Sequence, residues 1–264
     1  MQLDQITPLI LTFNEAPNLR ASLKGLSWAK QIVVVDSGST DETLSIAKED
    51  GRVVVFYRPF DHFADQCNFG LTKITTPWTL SLDADYVCSK LMETELISLD
   101  PSVYAGFQAS FIYCIYSRKL RASLYPPRTV LYQTQKASYR RDGHAHRVVV
   151  DGQVGKLASL ILHDDHKPID GWLHSQVKYA TMESQKLGAV GGELSWKDRI
   201  RKKILFAPVL TVFYCLFGKG LAFNGWAGWY YTFQRVLAEV MLSLALLDMK
   251  LKTKPKSSHP PTSQ

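Results

Sequence analysis

Short β-branched runs alternate with amphipathic stretches through the first third of the chain. Residues 6–12, 31–36, 52–57 and 78–83 are rich in Val, Ile, Leu and Thr and too short for helices, so they are expected as strands. Helical patterns lie between them. The clearest runs from Thr40 to about Lys48, where Ser39 and Glu42 have the spacing of a capping box. Strand and helix in alternation predict an α/β fold with a mostly parallel central sheet and helices on its faces. Ligands in such sheets bind beyond the carboxyl ends of the strands. A later apolar run, 158–162, is expected as another strand. From residue 168 the period changes: Leu173, Val177, Ala180, Ser184 and Leu187 form one helical stripe, expected to pack against the sheet. Residues 204–217 and 226–247 are expected as apolar helices, lying in a membrane interface or buried as a hairpin against the α/β part of the chain or a dimer partner, and the fourteen residues of the first fall short of the about 20 that cross a bilayer. The chain thus divides into an α/β unit over 1–167, a helical region over 168–249, and a Lys-, Pro- and Ser-rich tail over 250–264 that cannot support a core.

Composition adds two constraints. With 264 residues, 46% of them hydrophobic, the chain can bury a full core without metal or disulfide staples. Cys67, Cys88, Cys114 and Cys215 are scattered without a CxxC pair and are expected as reduced core residues. The N-terminus lacks a basic segment before its first apolar run, so a cytoplasmic location is expected rather than secretion. The formal charge of +7 could serve nucleic acid or an anionic membrane. Arg199, Arg201, Lys202 and Lys203 precede a greasy run, and Lys250, Lys252, Lys254 and Lys256 follow another, a placement that suits lipid headgroups better than a phosphate-tracking groove. A solvated charge run is the other reading of the tail. The expectation is a protein at the inner face of the cytoplasmic membrane, with no nucleic-acid partner and no oligomer specified by the pattern.

Acidic residues close two of the strands. Asp36 ends the run 32–35 and leads into Ser-Gly-Ser-Thr-Asp-Glu, a tight turn before a helix. Asp83 ends the run 78–82, and Ala84 separates it from Asp85. A strand tip that delivers two carboxylates this way can hold a hard divalent cation, Mg²⁺ or Mn²⁺, by its oxygens. The competing reading of an isolated D-x-D is a turn-forming acid at a polar strand exit.

The ordered set Leu11-Thr12-Phe13-Asn14-Glu15, Val-Val-Asp36-Ser37-Gly-Ser-Thr-Asp41 and Leu82-Asp83-Ala84-Asp85 resembles the nucleotide-sugar-binding half of the inverting family-2 glycosyltransferases, over roughly residues 6–90. The resemblance implies a GT-A-like fold and a nucleoside diphosphate sugar donor, with UDP favoured. It implies that Asn14 and Glu15 line the nucleoside pocket and that Asp36 accepts from base or ribose. Asp83 and Asp85 would hold an ion bridging the diphosphate, and Thr12, Ser37, Ala84 and Arg128 would belong to the same donor site. Asp65, Gln66 and Asn68 either border this pocket or form a helix surface. The later half is similar to a bacterial subgroup acting on lipopolysaccharide core and cell envelope, through Arg128, the stretches 142–147 and 163–168, Trp172 to Glu183, and Gly225-Trp226-Ala227-Gly228-Trp229. That similarity implies an envelope glycan or lipid-linked acceptor. Many relatives carry an acid where this chain has Tyr86, and His-Glu where it has His146-Arg147, which leaves the catalytic base open.

An inverting transfer needs a carboxylate or His to take the acceptor proton. Asp142, on a glycine-containing turn after the acceptor-side strands, is the first candidate; Asp164 and Asp165, which follow the run 158–162, come next. Each could equally cap a turn. His144 and His146 on an extended strand would share a face, suited to acceptor or phosphate contacts or to a third ligand for the D-x-D ion. His163 and His166 are expected to anchor their loop, and Arg128 and Arg147 either neutralise an anionic ligand or form surface ion pairs. Two other functions fit parts of the pattern. Leu-Asp83-Ala-Asp85 resembles the nucleophile strand of haloacid-dehalogenase-type phosphatases, although that motif normally sits on the first strand and here three βα units precede it. A non-catalytic membrane adaptor is the second, with retention of both aspartates against it. A dinucleotide oxidoreductase fits worse, because no G-x-G-x-x-G follows the first strand.

Overall fold

The computed structural model describes residues 1–142, 145–188 and 196–253. Its strands are β1 (Ile6–Thr12), β2 (Ile32–Asp36), β3 (Val53–Tyr57), β4 (Trp78–Asp83), β5 (Tyr86–Val87), β6 (Gly106–Ile115), β7 (Arg118–Lys119), β8 (Arg128–Gln133), β9 (Ala137–Asp142), β10 (Ala145–Val150) and β11 (Val154–His163). Its helices are α1 (Ala16–Gly25), α2 (Thr43–Glu49), α3 (Phe63–Leu71), α4 (Lys90–Ser98), α5 (Ile169–Gly188), α6 (Trp196–Arg201), α7 (Phe206–Phe213) and α8 (Trp226–Thr253).

The main sheet runs β3-β2-β1-β4-β8-β6-β11-β5. Its first four strands are parallel, as the alternation predicts. Every residue of β2 is buried, the near-continuous apolar run expected of a strand covered on both faces. Beyond β4 the sheet turns mixed: β8 is antiparallel to β4 and β6, β11 is parallel to β6, and β5 returns antiparallel to the end of β11. The hairpin β9–β10 stands apart from this sheet and packs on α3. All four cysteines are free and buried.

Register places the chemistry. Thr12 pairs with Asp36 and Leu11 with Asp83, so β1, β2 and β4 finish at one edge. Tyr86 and Tyr113 both pair with His163, which brings the D-x-D turn to the end of β11.

Several local expectations need correction. The second helix starts at Thr43 rather than Thr40, and its N-terminal residue Glu42 makes no side-chain cap. The expected capping box does not form, because the Ser39 hydroxyl donates to Asp36 Oδ2 at 2.6 Å instead. The run 158–162 is the second half of a ten-residue strand. α5 packs mainly against α8 rather than the sheet. It buries Ala180, Glu183, Ser184 and Leu187 and leaves Leu173 and Val177 of the expected stripe exposed. The helix expected over 204–217 begins at Phe206, because Ile204 sits at φ +59°, and it ends in a π-turn over Tyr214–Gly218. α8 continues to Thr253, four residues into the expected tail. Residues 254–264, with Lys254 and Lys256, lie outside the described residues.

Candidate functional site

Asp36 is buried, and its carboxylate faces inward. Oδ2 accepts from Thr12 Oγ1 at 2.8 Å and from Ser39 Oγ, while Oδ1 accepts from the amides of Gly38 and Ser39 at 2.8 and 2.9 Å. Four donors fill its ordinary acceptor capacity, so Asp36 shapes the loop that follows. Gly38 supplies the turn at φ +99°. Asn14, itself left-handed at φ +54°, accepts from Thr40 N at 2.8 Å, and its amide donates to Ser39 Oγ at 2.9 Å. The loops after β1 and β2 are thereby tied together. Ser37 Oγ takes the Gln66 side-chain amide at 2.9 Å, which joins α3 to the same rim.

Glu15 lies behind this rim. Its carboxylate pairs with Lys167 Nζ and accepts from Asn18 Nδ2 at 3.0 Å. Burial pushes Glu15 up to about 7, with Asp85's charge adding to the rise and Lys167 opposing it. Burial would lower Lys167, but Glu15 outweighs it and the ammonium is held charged. Asn18 is buried and central: Nδ2 also reaches Asp165 Oδ1 at 2.9 Å, and Oδ1 accepts from His166 N at 2.8 Å. One amide thus links the first motif to the loop after β11.

The D-x-D turn closes on that loop. Asp83 Oδ2 accepts from Arg128 at 3.2 Å, and the same guanidinium donates to Tyr86 OH at 3.0 Å. Asp85 Oδ2 meets His163 Nε2 at 3.0 Å, while its backbone carbonyl accepts from Asp164 N at 3.0 Å. Asp85 Oδ1 is buried without a hydrogen-bond partner, as is His163 Nδ1. Burial would lower His163, but Asp85 raises it above its ordinary value. Tyr86, Tyr113 and Tyr125 surround its ring, with centroids 5.2, 4.5 and 4.6 Å away. Burial also raises Tyr86 and Tyr125, whose hydroxyls bond each other. His163 therefore sits on Asp85 rather than only anchoring a loop.

Asp164 accepts from Ser117 N and meets His166 Nε2, both at 3.1 Å. Asp165 and Lys167 also line a small cleft, open to solvent, with Tyr113, Tyr116, Trp172 and Tyr230. Asp142 ends β9 opposite Ala145 on the separate hairpin, and Gly143 and His144 lie outside the described residues. On that hairpin Arg141 pairs with Asp65 at 2.5 Å, and Asn68 exchanges bonds with the Tyr139 backbone. Asp65 and Asn68 are thus engaged in docking the hairpin.

The structure gathers Thr12, Asn14, Glu15, Asp36, Ser37, Asp83, Ala84, Asp85 and Arg128 with Asp164 and Asp165. Sequence reasoning missed Asn18, Lys167 as the partner of Glu15, and the tyrosines around His163. A polar Asn between Pro17 and Leu19 in the first turn of α1 was the available signal for Asn18. Among the described residues, no group of three or more His, Cys, Asp or Glu is arranged to hold a metal. Of the two carboxylates expected to hold an ion, Asp85 leaves Oδ1 buried without a hydrogen-bond partner, an acceptor of the kind a hard cation satisfies.

Comparison with known proteins adds four findings. The family model described as glycosyl transferase family 2 matches residues 9–151. A "Lipopolysaccharide core biosynthesis glycosyltransferase LpsC" of Rhizobium meliloti is 25% identical over 233 residues, which are 84% of each chain. A glycosyltransferase of Rickettsia bellii is 29% identical over 143 residues, 51% of this chain and 48% of that one. Among solved structures, a mannosyltransferase from Pyrobaculum calidifontis, in complex with GDP-Man and Mn²⁺, superposes with a TM-score of 0.53 at 14% identity, covering 97% of this chain and 89% of its own.

Proposed function

The chain belongs to glycosyltransferase family 2, and from that premise we propose that it transfers a sugar, with inversion, from a nucleoside diphosphate donor to a hydroxyl of a cell-envelope glycan or lipid-linked acceptor. The observation that carries this reading is the D-x-D turn folded onto the end of β11, with Asp83 on Arg128, Asp85 on His163 and one buried Asp85 oxygen left for a ligand. Similarity to a lipopolysaccharide-core glycosyltransferase supports the acceptor class. The nucleotide-sugar and Mn²⁺ complex of the archaeal mannosyltransferase supports the donor class and the ion.

The donor lies across the ends of β1, β2 and β4, its nucleoside against the loops that Asp36 and Asn14 hold together. UDP is the first nucleotide to try. A divalent cation on Asp83 and Asp85, Mg²⁺ or Mn²⁺, would neutralise charge on the departing diphosphate. Arg128 adds a fixed positive charge at the same place. The acceptor enters the cleft beside Asp165. Its oxygen forms the new bond to the anomeric carbon, the bond to diphosphate breaks with its electron pair, and the proton passes to a carboxylate. Asp165 is the favoured base, because it lines the acceptor cleft while Asn18 ties it to the donor side. Asp164, which does not line that cleft, and Asp142 are the remaining alternatives. The enzyme would work at the inner face of the cytoplasmic membrane.

Calorimetric titration with UDP, with and without Mn²⁺, tests the donor site beside Asp85→Ala. Metal-dependent binding abolished by the substitution is the expected result; no binding by folded protein in either condition would sink the reading and revive a phosphatase or an adaptor. Asp165→Asn should lower kcat by at least about a hundredfold with UDP affinity retained. Normal turnover in that variant, with loss in Asp142→Asn, would move the base to Asp142.

A further inference from the structure

The outward face of α8 has an unusual composition. From Trp226 to Leu247 every exposed residue of this helix is apolar: Trp226, Trp229, Phe233, Leu237, Val240, Leu244 and Leu247. They recur every three or four residues, so they form one stripe. The polar residues of the same helix, among them Arg235, Glu239 and Ser243, are turned away from it. Glu239 meets Arg201 at 2.7 Å, and Ser243 donates to the Ile204 carbonyl. α7, which packs against α8, and the π-turn that follows it repeat the arrangement with Phe206, Val209, Leu210, Phe213 and Phe217 exposed. A soluble helix normally carries its charges outward, and contiguous apolar patches of this kind mark interaction surfaces.

The rim is predominantly basic. Arg199, Lys202 and Lys203 precede α7 and are exposed, and Lys250 and Lys252 follow the stripe on α8. At the start of α8, Asn224 bonds the backbones of Lys119 and Arg121, and the Arg118 guanidinium lies 5.9 Å from the Trp226 ring centre. Of the nearby acids, Asp248 is paired with Lys252 at 2.6 Å. A second copy of the chain would bring these cations against one another, whereas an anionic headgroup layer complements them. No helix among the described residues is long and apolar enough to cross a membrane, so contact would be in the plane of the interface, with the tryptophans at headgroup depth.

We propose that the exposed face of α7 and α8, with its basic rim, docks on an anionic lipid bilayer and presents the acceptor cleft to it. Tyr116 connects the two features: its ring lies 6.4 Å from Trp226 and 6.0 Å from Tyr230, and it lines the cleft that holds Asp165. The cleft therefore opens at the edge of the lipid-facing surface. An amphiphilic acceptor can keep its acyl part in the bilayer while its glycan reaches Asp165. This orientation of the acceptor rests on the transferase reading; the docking itself does not.

Flotation of the full chain with vesicles of phosphatidylcholine containing about 30 mol% phosphatidylglycerol tests the surface. Wild-type protein should float with these vesicles and much less with phosphatidylcholine alone. The double variant F213S/F217S should reduce flotation at least about tenfold, and K202S/K203S should reduce it in a way that added salt mimics. Phe213 and Phe217 are 57% and 69% exposed, so both variants should retain the wild-type melting curve and Mn²⁺-dependent UDP binding. Wild-type protein left at the bottom of the gradient, or variants that float as well as it does, would overturn the docking. So would light scattering that shows a dimer dissociated by F213S/F217S, which would assign the face to a second copy. Loss of UDP binding with flotation intact would instead defeat only the transferase reading.

Discussion

Asn18 is the residue on which the two halves of the site meet. Its amide donates to Glu15 and Asp165, and its carbonyl accepts from the chain at His166, 148 positions away. Asn18→Ala takes one donor from Glu15 and one from Asp165, which both keep Lys167, and removes the acceptor of the His166 amide, and should cost about 1–3 kcal/mol in a denaturant melt. Asn18→Asp should cost more, because it places a third carboxylate between two others; equal melting of the two variants would contradict the bridging role. Glu15 adds a pH dependence. Its folded pKa, about 7, lies above the ordinary 4.5, so between these values the folded state binds more protons than the unfolded one, and this group's contribution to stability falls as pH rises from about 4.5 to about 7. Melting temperatures across that window should show wild type losing ground to Glu15→Gln, whose curve lacks this titration. The motif residues Asn14, Glu15, Asp36, Asp83 and Asp85 were legible because each sits at a strand end, where local sequence decides position. Asn18 and Lys167 were not, because their meaning lies in contacts across nearly the whole sheet.

At the scale of elements, local signals gave way where a tertiary partner competed for the same atoms. Ser39 has the right spacing to cap a helix, yet its hydroxyl serves Asp36, and α2 starts three residues later than expected. The α5 stripe misled for a related reason: the neighbour is α8, and it covers Ala180, Ser184 and Leu187 but leaves Leu173 and Val177 uncovered. Close approach also limits single glycines. A Cβ on Gly228 would stand 2.0 Å from the Leu221 carbonyl oxygen and 2.8 Å from Asn224 Cβ, where the turn before α8 packs on the helix. Gly228→Ala should therefore destabilise by about 1–3 kcal/mol. Gly171, in the first turn of α5, has nothing within 4 Å of its Cβ position, and Gly171→Ala should stabilise by about 0.4–1 kcal/mol through a less flexible unfolded chain. Opposite signs in thermal melts are the expected outcome, and a loss of stability in both would contradict this account of α5.

Across the whole molecule, alternation of strand and helix was enough to foresee the parallel half of the sheet, because each βα unit is nearly local. The mixed half was not foreseeable in the same way: β8, β6, β11 and β5 pair out of sequence order, through contacts that no periodicity encodes. Arg201 ties three helices of the helical region together. Arg201 on α6 reaches Glu239 of α8 at 2.7 Å and Glu183 of α5 at 3.9 Å, and both carboxylates are largely buried. Arg201→Leu would leave two acids facing each other in a poorly solvated space. Breaking a fully buried pair costs about 3–5 kcal/mol, and because Arg201 is itself 37% exposed, a loss of about 1–3 kcal/mol is expected here. That loss should be regional, since none of the donor-site residues on β1, β2 and β4 touches this cluster. Hydrogen exchange should accelerate in α6 and α8 while β1 and β2 stay protected, with Mn²⁺-dependent UDP binding near the wild-type value. Uniform acceleration with loss of UDP binding would show instead that the helices and the sheet unfold as one unit, and that the helical region is part of what holds the donor site in shape.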